Sequence, residues 1–125
     1  MKKTDIKRKS WECTKEEMRI AIIEQAKREN MITYSELLKK VKSLKLNIEE
    51  IDHRSIMAEM LGEISLAEDK AGRGMLSALV VHKTGDREPG QGFFDYAEVL
   101  GRDVSDKTKC WVREVSRVYD YWSKH

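Results

Sequence analysis

The run Met75–Val81, MLSALVV, constrains this chain most. Seven residues with a single hydroxyl among them must be surrounded by other parts of the protein on every side. Gly74 and Lys83 bound the run, and its Leu and Val content predicts a buried strand. The next nine residues, Thr84–Gly92, hold three glycines and the only proline, Pro89. Such a stretch cannot be helix, so it predicts an exposed turn or an excursion from the strand. Around this centre the apolar residues recur at helical spacing. The fold class that follows is α+β and mostly helical. With 40% hydrophobic residues the 125-residue chain can build one core, which excludes a wholly disordered chain and leaves little room for a second domain.

The helix boundaries are read from caps and periodicity. Thr14 and Glu17 make a capping box, so the first helix is expected to start at Thr14 and carry Met18, Ala21, Ile22 and Ala26 inward. Asn30, which tolerates a left-handed backbone, is the expected stop. Thr33 and Glu36 form a second box, opening a short helix over 33–42. Residues 43–50 read as a connector. A third helix is expected over 52–64, with Gly62 as an internal weakness costing about 1 kcal/mol. The polar segment 65–74, with two glycines, reads as a loop. A short helix over 93–100 and a last helix over 105–122 complete the chain. In the last, Trp111, Val115, Val118 and Trp122 share one face. Residues 1–12 are expected to be a flexible basic arm, and residues 13–125 one domain.

Net charge is only +2, but it is unevenly spread: residues 1–30 carry nine cations against six anions, and residues 51–100 five against nine. Two cysteines, Cys13 and Cys110, form no CxxC pair and are expected to be free thiols. No secretory leader or membrane-spanning apolar run is present in the sequence, which predicts a cytoplasmic protein.

The order helix, helix, helix, strand, Gly-rich tip follows a winged helix-turn-helix. The segment Thr33-Tyr34-Ser35-Glu36-Leu37 resembles the opening of the helix-turn-helix in the DNA-binding domain of O6-alkylguanine alkyltransferases and alkyltransferase-like proteins. The resemblance covers roughly residues 20–82. It implies a winged-helix scaffold whose second helix approaches the duplex. It assigns Arg54 to the arginine that fills the space of a flipped base, and Tyr34 to the tyrosine that crowds the target phosphate. The family's reactive Pro-Cys-His-Arg run is absent, and LSALVVHK stands in its place. Alkyl transfer to cysteine is therefore not expected. Residues 72–101 have the look of a bacterial protein.

The expected function is a non-catalytic nucleic-acid-binding or regulatory protein. His53, Arg54 and Ser55, at the start of the third helix, would face the duplex, where free N–H groups also favour phosphate. Tyr34, Lys39, Lys40, Lys83 and Arg87 complete the candidate interface. Two alternatives stand beside it. One is a protein-interaction module or homodimer using the 84–92 loop and Trp111, Val115 and Trp122. The other is a metal-dependent nuclease using Glu59, Glu63, Asp95 or His82. HExxH, GxSxG and a Walker loop are all missing, so no catalytic residue, metal or cofactor is assigned. One of the adjacent Phe93 and Phe94, beside the glycine loop, is expected to wall a small pocket with Tyr96.

Overall fold

The computed structural model describes residues 2–85 and 87–125. Met1, of the expected arm, and Asp86, of the glycine-rich tip, lie outside the described residues. The protein is α+β and mostly helical. In chain order the elements are a 3-10 turn over Lys3–Asp5, α1 (Arg8–Lys27), β1 (Ile32–Thr33), α2 (Tyr34–Lys39), α3 (Ile51–Lys70), a 3-10 turn over Leu76–Leu79, β2 (Val80–Val81), α4 (Gln91–Val99) and α5 (Lys107–Trp122). No described helix is long and apolar enough to cross a membrane.

α1 starts at Arg8, six residues before the expected cap. The reason is Trp11, which is buried and extends the apolar stripe one turn back. Thr14 sits within that stripe, fully buried, its hydroxyl without a hydrogen-bond partner among the described residues. A polar residue that looked like a cap is part of the core. At the other end the left-handed residue is Glu29 (φ 55°), not Asn30. The Asn30 N–H donates to Gln25 O at 2.9 Å, and the Glu29 N–H to Ala26 O at 3.0 Å, which closes the helix as a Schellman motif.

The second capping box forms as expected. Thr33 Oγ1 accepts from the Glu36 N–H at 3.1 Å, and the Glu36 carboxylate accepts from the Thr33 N–H at 3.2 Å. α2 is only six residues long, shorter than the expected 33–42.

α3 runs six residues beyond Ile64 because its polar extension is buried. Glu68 is 1% exposed and pairs with both Arg19 and Arg73. Ser65 is bonded to Ser77. The helix ends at Gly72 (φ 80°), again with a Schellman pair. Gly62 stays helical. A Cβ there would stand 2.2 Å from the Tyr96 ring, so the glycine admits α4 against α3.

Of the expected strand over 75–81 only Val80 and Val81 pair, parallel to Ile32 and Thr33. Leu76–Leu79 coil into a 3-10 turn packed among α1, α3 and α5. Side chains, not a neighbouring strand, satisfy this backbone. The Met75 N–H donates to Glu114 at 2.8 Å and the Ser77 N–H to Ser65 Oγ at 3.0 Å. Ala78 O accepts from the Trp111 indole at 2.8 Å. A continuous apolar run fits either geometry, and these partners decide between them.

Asp106 caps α5, accepting from the Lys109 N–H at 3.1 Å. The aromatic stripe of α5 packs inward: Val115 and Val118 are buried and Trp111 and Trp122 half-buried. Cys13 is exposed and Cys110 buried, and both are free.

Candidate functional site

The start of α2, one face of α3, Ser77, His82, Gly90 and the start of α4 enclose a cleft of about 220 Å³. Its rim carries Arg54, His82 and Gln91, all exposed; its inner end reaches Ser77, 6% exposed. Most of the wall is apolar or aromatic, from Met57, Leu61, Phe93 and Tyr96.

Tyr34 owes its position to the capping box. Thr33 fixes the entry of α2, and Tyr34 is the first residue after it. Its hydroxyl accepts from the Gly90 N–H at 2.8 Å, and its ring centroid lies 5.0 Å from that of His82. A Cβ on residue 90 would stand 3.2 Å from the Tyr34 hydroxyl, so a side chain there would press the phenol back by a few tenths of an ångström. Burial raises the Tyr34 phenol above its usual value, offset in part by the Gly90 N–H. The cleft therefore holds a neutral phenol at physiological pH.

Among the described residues, the tip that follows β2 is closed by a backbone bond from the His82 N–H to Glu88 O at 3.0 Å. Arg87 holds a left-handed backbone (φ 52°) within it. Past the tip Pro89 is buried, and α4 begins at Gln91.

The residues singled out in the sequence fall into three places. Tyr34 and Arg54, twenty positions apart, line the same cleft. Lys39, Lys40, Ser55, Lys83 and Arg87 are exposed. Lys39 and Arg87 lie close enough to Glu36 to help hold its carboxyl low, after the larger contributions of the Thr33 hydroxyl and N–H. His53 is buried instead. Its Nδ1 accepts from the Asn47 N–H at 2.8 Å, and Glu50 stands 3.1 Å from Nε2 outside hydrogen-bond geometry. Its role here is to hold the 43–50 connector against α3.

The carboxylates of the nuclease alternative are otherwise engaged. Glu59 pairs with Lys3. Glu63 pairs with Lys15 at 2.9 Å and accepts from the Trp11 indole at 2.8 Å. Asp95 accepts from Gln91 at 3.0 Å. Burial would raise the Glu63 carboxyl, but Trp11 and Lys15 outweigh it and hold it below the usual range. Among the described residues no three His, Cys, Asp or Glu side chains cluster as metal ligands.

Ser77, Gly62 and Gly90 escape a reading by motif, yet each left a trace in the sequence. Ser77 is the one polar residue in MLSALVV. Gly62 is a costly glycine inside a helix. Gly90 follows the only proline.

Compared with known protein families, curated proteins and solved structures, the chain shows no significant match.

Proposed function

We propose that this protein binds nucleic acid without catalysing a reaction on it, through the face formed by α2, the start of α3 and the tip after β2. The observation that carries the reading is a group of exposed cations on α2, at the start of α3 and on the tip. Lys3, Lys15, Arg19, Arg73, Arg102 and Arg117 are each paired with a carboxylate. Lys39, Lys40, Arg54, Lys83 and Arg87 pair with none among the described residues, and all five are exposed. Arg54 lines the cleft, Lys83 and Arg87 belong to the tip, and Lys39 and Lys40 stand at the end of α2; exposed, unpaired cations favour a polyanion. Glu59 and Glu63, which would repel phosphate, are neutralised by Lys3 and Lys15.

The winged-helix reading belongs to the same proposal. α2, a connector and α3 stand in the order of a helix-turn-helix, with β2 and a tip after them. The tip takes the place of the wing, with the His82–Glu88 backbone bond at its base. The resemblance to the alkyltransferase DNA-binding domain supports the assignment of Tyr34 and Arg54 to the binding face.

The test is fluorescence anisotropy with generic duplex DNA, single-stranded DNA and structured RNA at about 50 and 200 mM salt. Five phosphate contacts predict a loss of about two to three orders of magnitude in affinity between those conditions. Arg54→Ala is expected to weaken binding and flatten the salt slope by about one. No binding at micromolar protein in low salt would sink the proposal.

A further inference from the structure

The cleft has a polar inner end that the cation face does not explain. Ser65 donates its hydroxyl proton to Ser77 Oγ at 2.6 Å, and Ser65 Oγ accepts from the Ser77 N–H at 3.0 Å. Both serines are buried. A serine hydroxyl offers one donor and two acceptor sites. Ser65 spends its proton on Ser77, so Ser77 is held as an acceptor on that side. The two hydroxyls share one hydrogen bond, so one of their two protons has no acceptor among the described residues; with Ser65 donating it is that of Ser77, the most buried polar residue lining the cleft. A buried donor without a partner is costly, and a ligand acceptor would relieve it.

The rest of the cleft sets the shape of that ligand. Tyr34, Phe93 and Tyr96 give it aromatic walls, and Met57 and Leu61 apolar ones. Roughly 150 Å³ is enough for one benzene ring; about 220 Å³ suits one ring system of one or two fused rings. Tyr34 offers a second donor at the side, since its oxygen already accepts from Gly90.

We propose that the cleft binds a single planar heteroaromatic ring system, and that Ser77, oriented by Ser65, is its specificity-determining donor, selecting rings with a hydrogen-bond acceptor on the edge that enters first. The ring has two chemical sources, a free heterocyclic compound or a base extruded from a nucleic acid. The assignment goes beyond the nucleic-acid reading and does not depend on it.

Quinoline and naphthalene have the same shape and differ by one acceptor nitrogen, which makes them suitable probes. Their dissociation constants are measured by ligand-observed NMR on the full chain, with Ser77→Ala and Ser65→Ala beside the unsubstituted protein. Ser77→Ala leaves the buried backbone bond to Ser65 in place, and circular dichroism confirms the fold. The preference for quinoline over naphthalene is expected to fall about 5- to 10-fold in Ser77→Ala, with naphthalene affinity nearly unchanged. Ser65→Ala, which frees the orientation of Ser77, gives a smaller fall. An equal preference in all three proteins, or no binding of either probe, overturns the proposal.

A duplex with 2-aminopurine opposite an abasic site then identifies the source. A Ser77-dependent fluorescence change assigns the ring to an extruded base. No change, with the quinoline preference intact, assigns it to a free compound. Loss of duplex binding alone counts against the nucleic-acid reading and leaves the Ser77 assignment standing.

Discussion

Gly62→Ala is the substitution that most sharply tests the packing behind the cleft. In an exposed helix it would stabilise by about 1 kcal/mol through helix propensity alone. Here the new Cβ would stand 2.2 Å from two ring carbons of Tyr96 and 2.7 Å from its oxygen. Carbon atoms in contact prefer about 3.5–4.0 Å, so the ring must move by roughly 1.5 Å. Overpacking of this kind costs about 1–3 kcal/mol. The balance predicts a net loss of about 0–2 kcal/mol, or a fall in Tm of up to about 10 °C in a domain of this size. Tyr96 lines the cleft and is only half-buried, so its way out is into the cleft, and ligand affinity falls with it. In the Tyr96→Ala background the same Gly62→Ala change meets no ring and stabilises by about 1 kcal/mol. Urea unfolding of the four proteins measures the coupling, expected at about 1–3 kcal/mol. A coupling below about 0.5 kcal/mol would refute the argument that residue 62 is glycine to admit Tyr96.

Thr33→Ala removes the cap of α2 and is expected to cost about 1 kcal/mol in urea unfolding, and to loosen Tyr34 against Gly90 as well. Glu114→Ala leaves the buried Met75 N–H without its acceptor and strips Arg102 and Arg117 of a partner. Thermal or urea unfolding should show a loss of about 3 kcal/mol, and a loss below 1 kcal/mol contradicts the role given to this carboxylate. The Tyr34 phenol is raised by burial, so the folded protein holds that proton more tightly than the unfolded chain does. Its contribution to stability is full below about pH 10 and lost as pH rises through the folded value. Ultraviolet titration of tyrosinate, compared with Tyr34→Phe, should lose one late-titrating group in the variant and keep that of Tyr119, which burial also raises.

Several features were legible because they are local. The Thr33–Glu36 box and the helical stripe of α5 rest on residues within one or two turns of each other, and the structure keeps both; the expected non-helical stretch Thr84–Gly92 ends two residues early, because Gln91 and Gly92 open α4. The stop of α1 was legible only to within one residue, since the motif placed its left-handed backbone on Glu29 where Asn30 looked better suited. Thr14 misled because a buried threonine and a capping threonine look alike in sequence. The extension of α3 was hidden for a similar reason: Ser65 and Glu68 read as loop until Ser77, Arg19 and Arg73 supply their partners.

The candidate site divides the same way. Tyr34 and Arg54 could be singled out by type and motif. Ser77 could not, because a hydroxyl in an apolar run acquires meaning only from what surrounds it. By itself the sequence determined that the chain is mostly helical, that MLSALVV lies at its centre, and where α2 begins, since periodicity and caps act within a few residues. Only the tertiary structure decided that MLSALVV coils before it pairs, that Gly62 yields to Tyr96, and that Tyr34, Arg54 and Ser77 share one cleft. Those outcomes depend on contacts between residues tens of positions apart, whose energies no local pattern records.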